Sequence, residues 1–354
     1  TLQGTCMKKV LIVGATGFGG LGLIEILLRH EKFEIAQLVA RKDVGQRMSD
    51  VFPHLNGFCD LVVESPEDMR LDGIDLAFFS TPDRAGMTMI EEFHGKDIPV
   101  IDFSGDFRFN TIDDYTVYAA NKGMDTKHHS PSILTEAVYG LPEKYSHRIR
   151  ESKIVGNPGC FAIAMILGLL PLVEEGLVAS DAIICDGKTG VSGAGKNPGE
   201  ANFYPQRYED VNTYREGHHQ HTVEVENIIN REGNTDKKIL FIPQVVPMTR
   251  GILINKYIQP AKEMNTEDVQ TLYEKYYGDK PFVNITAGSP HTSHVRGSNM
   301  CLIRPMVDDR SGTMLVTSVI DNLLKGQSGN AIQNANIMMG FNETEGLLQP
   351  PFYP

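Results

Sequence analysis

Tryptophan is absent from the 354 residues, and the five cysteines, Cys6, Cys59, Cys160, Cys185 and Cys301, are scattered without a Cys-x-x-Cys pair. An odd, dispersed set supplies neither a disulfide framework nor a cysteine-rich zinc site. It suits a reducing compartment in which one thiol is chemical. Positive charge is in deficit: 33 Lys and Arg against 45 Asp and Glu leave a formal charge of −12. Such a balance argues against nucleic acid and anionic membranes as partners. No apolar run reaches bilayer-spanning length, and the first residues lack the charged, apolar and small-residue zones of a secretory signal, so a cytoplasmic location is expected. Low-complexity tracts are missing as well, and a chain of this length with 41% hydrophobic residues can bury two domain cores. Thr1 to Cys6 precede Met7-Lys8-Lys9, which reads as a natural start, and they are left out of the fold reading.

What is present begins with a β-branched run, Lys8 to Val13, followed at once by GATGFGGLGLIEILLRH. A buried strand, a glycine turn and an amphipathic helix open a dinucleotide-binding βαβ unit. Gly14, Gly17 and Gly20 fall in a GxxGxxG pattern, with roles in the tight turn, the approach of a pyrophosphate and helix-on-strand packing. Gly14, Thr16, Gly17, Phe18, Gly19 and Gly20 are therefore candidate cofactor ligands. A second strand, Phe33 to Ala40, ends in Arg41 and Lys42, where an acid would hold the ribose of NAD and basic residues would accept a 2′-phosphate. NADP, oxidised or as NADPH, is expected, with Asp43 one residue out of register as the competing signal. Strands at Asp75–Ser80 and Val100–Ser104, with a helix-like segment Asp83 to His94 between them, predict a parallel, doubly wound α/β sheet. Ser80, Pro82 and the segment Ser104 to Arg108 then sit at strand ends facing the cofactor cleft. Arg108 is an anion-ligand candidate, or an ion-pair partner of Asp102 or Asp106.

Gly156 to Ala164, GNPGCFAIA, puts Cys160 between a Pro-Gly turn and an apolar run read as a helix over Phe161 to Leu170. A thiolate there meets the positive end of a helix dipole, which favours a nucleophile; a buried structural cysteine is the alternative. A strand at Ala182–Asp186 leads into KTGVSGAGKNPG, whose glycines and Lys188 and Lys196 suit a backbone-lined anion site or a connector. Ser192 and Gly193 in it are candidate cofactor contacts. The segment Glu216 to Glu226 carries His219 and His221, with Thr222 as a helix cap and Glu224 in the first turn. A metal would need further ligands, whereas a general base beside a cysteine needs only what is there, so no metal is assigned. Strands at Phe241–Val246 and Ile252–Ile258 flank a turn holding Arg250 and predict a mixed or antiparallel sheet. A final long helix is expected over Thr317 to Leu324. The expected domains are 7–156 for NADP, with 327–354 packing back on it, and 157–326 for catalysis and oligomerisation.

Together these features describe covalent redox catalysis, in which a thiolate expels a leaving group from an activated acyl carbon and the thioester accepts hydride. Nearly the whole chain resembles the N-acetyl-gamma-glutamyl-phosphate reductases of arginine biosynthesis. The resemblance rests on GATGFGG at 14–20, VFPHL at 51–55, DFSGDFR at 102–108, VYGLPE at 138–143, GNPGC at 156–160 and KTGVSGAGK at 188–196. It continues in HQHTVE at 219–224, VPMTRGI at 246–252, GSNMC at 297–301 and SVIDNLLKGQSGNAIQN at 318–334. It implies NADPH-dependent reduction of N-acetyl-L-glutamyl 5-phosphate to the 5-semialdehyde, with Cys160 as nucleophile and His219 or His221 as acid/base. Glu224 would orient the histidine or touch substrate; Arg108 would bind the leaving phosphate, Arg250 a substrate carboxylate, and Asn157 the substrate. Ser80, Pro82 and Asn336 would line the cofactor cleft, and the chain would form a homo-oligomer, a dimer or tetramer. Two departures stand out: the family usually continues its cysteine motif as GCYPT where this chain has Cys160-Phe161-Ala162-Ile163, and it tends to have proline at the place of Val223. A reductase of carrier-linked aminoadipyl phosphate, from lysine biosynthesis, is the runner-up. Aspartate-semialdehyde dehydrogenase fits the blocks less well. A cysteine hydrolase or acyltransferase would not need the βαβ unit, and a non-catalytic NADP-binding regulator would not need Cys160.

Overall fold

The computed structural model describes residues 7–353, so Thr1–Cys6, with Cys6, lies outside the described residues. The chain divides into two compact units. The first runs to Tyr115 and adds Lys127–Pro158 and Gln327–Leu348; the second holds Thr116–Thr126, Gly159–Gly326 and the residues from Gln349.

In the first unit seven strands form one parallel sheet: β1 (Lys8–Val13), β2 (Phe33–Val39), β3 (Val63–Glu64), β4 (Leu76–Phe79), β5 (Val100–Asp102), β6 (Val138–Tyr139) and β7 (Ile154–Gly156). Their order is β3-β2-β1-β4-β5-β7-β6. Strands covered on both faces read as unbroken apolar runs, as Leu76–Phe79 does with all four residues buried. The order reverses between β1 and β4, and a doubly wound sheet presents its ligand cleft at such a switch point. The helix Phe18–Leu27 follows β1, and Gly86–Gly95 follows β4. A helix from late in the chain, Gly329–Met338, is buried from Gly329 to Ile337 although it is rich in amides. Most of those amide groups bond inside the unit, although Asn334 Oδ1 has no partner. Asn330 Nδ2 donates to the Gly140 carbonyl at 2.7 Å and to Asn157 Oδ1 at 2.8 Å, and Asn334 Nδ2 donates to the same carbonyl at 3.0 Å.

The second unit is built on β8 (Ala182–Thr189), β9 (Asn212–Thr213), β10 (Lys238–Val245), β11 (Ile252–Ile258), β12 (Val283–Ile285), β13 (Cys301–Val307) and β14 (Met314–Ile320), in the order β12-β13-β14-β11-β8-β10-β9. β8 and β10 run parallel, as do β12 and β13, while β11 is antiparallel to both its neighbours, so the sheet is mixed. Alternate residues of β13 are buried, as expected of a strand with one face on a core. The helix Cys160–Glu174, buried from Phe161 to Val173, lies on β11 and β14. Pro171 stands inside it and has no N–H for the Leu167 carbonyl one turn earlier. The Tyr277 hydroxyl donates to that carbonyl at 2.6 Å, and the Tyr273 hydroxyl donates to Gly168 O at 2.5 Å, so the helix continues through the proline.

The α/β reading with a second mixed sheet holds, and one element differs. Of Thr317–Leu324, expected as a helix, the first half, residues 317–320, lies in β14, which pairs with β11 and β13. Thr317, Val319 and Ile320 are β-branched and alternate faces with their neighbours, and the helical signal belongs to Gly329–Met338 further on.

Candidate active site

Cys160 is the first residue of its helix and is half-buried. Gly159 is the N-cap, and its N–H donates to Glu224 Oε1 at 2.8 Å. The His221 ring lies directly over that glycine: a Cβ at position 159 would stand 2.2 Å from His221 Nε2. From the other side Gly326 closes in, since a Cβ there would be 2.8 Å from the Cys160 Cβ. Two glycines thus let an imidazole and a backbone segment approach the thiol more closely than any side chain would permit. His221 and Glu224 come from the helix His221–Gly233, which packs against the cysteine helix. Thr222 does not cap it; the N-cap is Gln220, with no side-chain hydrogen bond, and Thr222 is already helical.

His219 is 3% exposed, with Phe161, Tyr214 and Phe241 edge-on around it at ring-centroid distances of 5.6, 5.7 and 5.2 Å. Its Nδ1 accepts the His221 backbone N–H at 3.2 Å, which leaves Nε2 to carry the proton of the neutral ring. Burial, reinforced by the positive charges of Arg215 and Lys122, pushes its pKa down to about 3. The two histidines therefore differ in kind. His219 is a neutral prop in an aromatic box, and His221 faces the cysteine turn. Cys160, His219 and His221 open on a cavity of about 770 Å³ whose walls include Tyr214, Arg207 and Arg215. Burial raises the Tyr214 hydroxyl, so it stays protonated. Tyr214, Arg215 and Lys122 escaped the sequence reading. The first two lie just before the histidine pair, a usable signal, whereas Lys122 comes from Thr116–Thr126, an excursion that no local pattern marks as part of the second unit.

In the first unit, Gly14 ends β1 at φ +87°, and a Cβ there would fall 2.2 Å from the Ser80 carbonyl oxygen. A Cβ at Gly20 would lie 2.5 Å from the Gly14 oxygen, so helix and turn touch backbone to backbone. At Gly17 the nearest protein atom to such a Cβ is 3.6 Å away, so packing does not demand glycine there. Gly17 is the N-cap of Phe18–Leu27 without a side-chain cap, and no acid stands in the first turn. That leaves helix N–H groups open to an anion, which fits a pyrophosphate. Thr16 is buried in this turn and Phe18 and Gly19 begin the helix. Arg41 and Lys42 are exposed after β2, Ser80 is half-buried after β4, and Pro82 is exposed.

Several expected ligands are engaged otherwise. Asn157, 1% exposed, donates to the Gln327 carbonyl at 3.0 Å while its Oδ1 accepts from Asn330 and Asn334, so its amide is a structural knot within the first unit. Asn336 is wholly buried, its Oδ1 on His30 Nε2 at 3.1 Å and its Nδ2 on the carbonyls of Glu343 and Glu345, and it lines no cleft. Arg108 donates to the carbonyls of Asn157 and Phe103 at 2.8 and 2.6 Å, contacts that hold its guanidinium within the first unit. Arg250 is paired with the buried Asp321 at 2.9 Å, which already engages the charge expected to meet a substrate carboxylate. Ser192 accepts from Asn322 Nδ2 at 3.0 Å, and Gly193 lines the Cys160 cavity, so this loop belongs to the second unit.

The family model described as "Semialdehyde dehydrogenase, NAD binding domain" matches residues 9–152, and "Semialdehyde dehydrogenase, dimerisation domain" matches 160–322. N-acetyl-gamma-glutamyl-phosphate reductase of Bacillus thuringiensis subsp. konkukian is 38% identical over 351 residues, covering 98% of this chain and 99% of that protein. The chain belongs to the N-acetyl-gamma-glutamyl-phosphate reductase family. The reductase of Methanocaldococcus jannaschii is 39% identical over 357 residues, covering 98% and 100%. Among solved structures, aspartate semialdehyde dehydrogenase II of Vibrio cholerae aligns with a TM-score of 0.71 at 20% identity, covering 95% of this chain and 99% of that one, a likeness of fold. Aspartate semialdehyde dehydrogenase with NADP from Candida albicans aligns at 0.67 and 18%, covering 94% and 99%.

Against that reductase family, the two departures fall on packing positions. Phe161 is 2% exposed and packs on Phe241 at 4.9 Å, where a tyrosine hydroxyl would need a buried partner. Val223 stands in the first turn of its helix, where proline and valine are both accommodated.

Proposed function

We propose that the chain reduces N-acetyl-L-glutamyl 5-phosphate to N-acetyl-L-glutamate 5-semialdehyde and phosphate through a Cys160 thioester, with NADPH as reductant. The observation that carries the reading is the join at Gly159, where the cysteine helix and the His221–Glu224 helix start meet. His221 takes the Cys160 proton, and the thiolate, at the positive end of its helix, attacks the acyl carbon. Carbonyl oxygen charge is met by the amides of that helix's first turn, which have no intrahelical acceptor. Phosphate leaves with its electron pair, forming the thioester. The turn Gly14–Gly20 and the strand-end residues Ser80 and Pro82 would hold the dinucleotide, which would supply the hydride that reduces the thioester. The hemithioacetal then collapses, returning the thiolate and releasing aldehyde. Glu224 fixes Gly159 and so the approach of His221, and His219 supports His221 through its Nδ1. The turn Gly14–Gly20 would hold the pyrophosphate, Arg41 and Lys42 the 2′-phosphate of NADP, and Arg108 the leaving phosphate.

The names of the curated relatives support this substrate over a carrier-linked aminoadipyl phosphate, and the dimerisation-domain match supports a homo-oligomer. Among the described residues no helix is long and apolar enough to cross a membrane, in keeping with work in the cytoplasm. The test is the reverse reaction: N-acetylglutamate semialdehyde, phosphate and NADP, followed at the absorbance of NADPH. Turnover is expected, with arsenate able to replace phosphate, and Cys160→Ser should nearly abolish it. Full activity in that variant would remove the covalent mechanism, and faster turnover with NAD would remove the role given to Arg41 and Lys42.

A further inference from the structure

The Cys160 cavity must hold more of the substrate than its reacting carbon, and an N-acetylglutamyl chain carries a carboxylate that no sequence-derived residue now accounts for. Arg250 is neutralised by Asp321. Arg207, on the cavity wall, is held by Asp210 and by Asn212 Oδ1 at 2.5 Å, and its side chain is 13% exposed. Arg215 is different. Its guanidinium donates to the neutral Gln220 Oε1 at 2.9 Å, and no carboxylate among the described residues forms an ion pair with it. The adjacent Glu216 accepts from the Thr213 hydroxyl instead, and Glu200, the remaining acid on the wall, is exposed.

The loop presents this side chain under strain. Arg215 has φ +50°, a left-handed conformation unusual for a residue with a Cβ, and its carbonyl closes a turn by accepting the His218 N–H at 3.0 Å. Strained backbone at a cavity wall is a common mark of a residue held for function. The positive charge of Lys122 acts on the same place: burial first and then both cations depress His219, and burial first and then Arg215 lower Lys122 to about 8.

We propose that Arg215, on the wall of the Cys160 cavity, is the ligand for the substrate's α-carboxylate. A guanidinium suits the task because its planar fork meets a carboxylate through two parallel N–H···O bonds. The assignment rests on the reaction proposed above and specifies how that site chooses its acyl chain.

The experiment compares two aldehydes in the reverse reaction with phosphate and NADP: N-acetylglutamate semialdehyde and 4-acetamidobutanal, the same chain without the carboxylate. The unsubstituted enzyme should favour the first in kcat/KM. Arg215→Gln should lower that preference by about tenfold or more, the size of a charge-assisted hydrogen bond, through the KM of the semialdehyde and with the KM of phosphate unmoved. Arg215→Lys should restore part of the preference. Arg215→Gly, which relieves the left-handed backbone, should lose it as Gln does, which separates recognition from folding. An unchanged preference in Arg215→Gln overturns the assignment, as does a rise confined to the KM of phosphate. If the unsubstituted enzyme turns over neither aldehyde, the reaction itself is wrong, a separate outcome.

Discussion

Gly159→Ala tests the geometry of the site with a single methyl group. The backbone at 159, φ −69° and ψ 147°, is one that alanine adopts freely, so the change introduces no conformational strain. What it introduces is a collision: the new Cβ would stand 2.2, 2.5 and 2.7 Å from His221 Nε2, Cδ2 and Cε1, against an ordinary contact that begins at 3.4 Å. Restoring contact distance requires the ring to retreat by about 1.2 Å, the gap between 2.2 and 3.4 Å. A displacement near 1 Å at reacting groups lowers rates by roughly a hundredfold. The expected result is a kcat for N-acetylglutamate semialdehyde oxidation down by about that factor, with the KM of NADP unchanged. Iodoacetamide should alkylate Cys160 more slowly in the variant, because the imidazole that takes its proton has moved away. Overpacking of a buried site also destabilises by about 1–3 kcal/mol, so denaturant midpoints are needed to show that the variant remains folded at the assay temperature. A folded variant with unaltered kcat would mean that His221 is not the residue that moves the proton.

Two further predictions concern stability. Asp102 is wholly buried beside Asp106, which raises its pKa from 3.8 to about 8, with its Oδ1 taken by the Ser104 amide and hydroxyl. The folded state then keeps a proton that the unfolded chain has lost, so this carboxyl's contribution is complete below pH about 4 and declines as pH rises towards about 8. Asp102→Asn, which mimics the protonated acid, should gain on the unsubstituted protein as pH rises; urea midpoints whose difference is flat with pH would show that Asp102 is ionised in the fold. Tyr277→Phe strands the buried Leu167 carbonyl and should cost about 1–3 kcal/mol. On a Pro171→Ala background the helix regains the missing N–H, so the same substitution should cost less, and a double-mutant cycle with no coupling would refute the substitution of hydroxyl for amide.

Local chemistry is what the sequence displayed. The β-branched run before Gly14 and the glycine at the start of the Cys160 helix both depend on short-range sterics, and both lie where they were expected. Errors arose where tertiary partners decide. Arg250 and Asn336 have the residue types of ligands, yet Asp321 and the carbonyls of 343 and 345 claim them, and neither partner is visible from spacing alone. Thr317 to Ile320 has enough apolar content for a helix, and pairing with β11 and β13 made it a strand. Beyond its place just before the histidine pair, Arg215 carries no local mark in the sequence, because its significance depends on which neighbouring acids are already taken.

The late helix Gly329–Met338 also bears on how the protein is made. Its Asn330 completes bonds to Gly140 and Asn157 that lie 190 and 173 residues earlier in the chain. During synthesis the parallel sheet therefore emerges with the Gly140 carbonyl and the Asn157 amide still unsatisfied. They remain so until nearly the whole second unit has left the ribosome. Contacts of such long sequence separation form slowly, and a chain halted before Gly329 would carry a nucleotide fold with an open seam for a chaperone or protease to find.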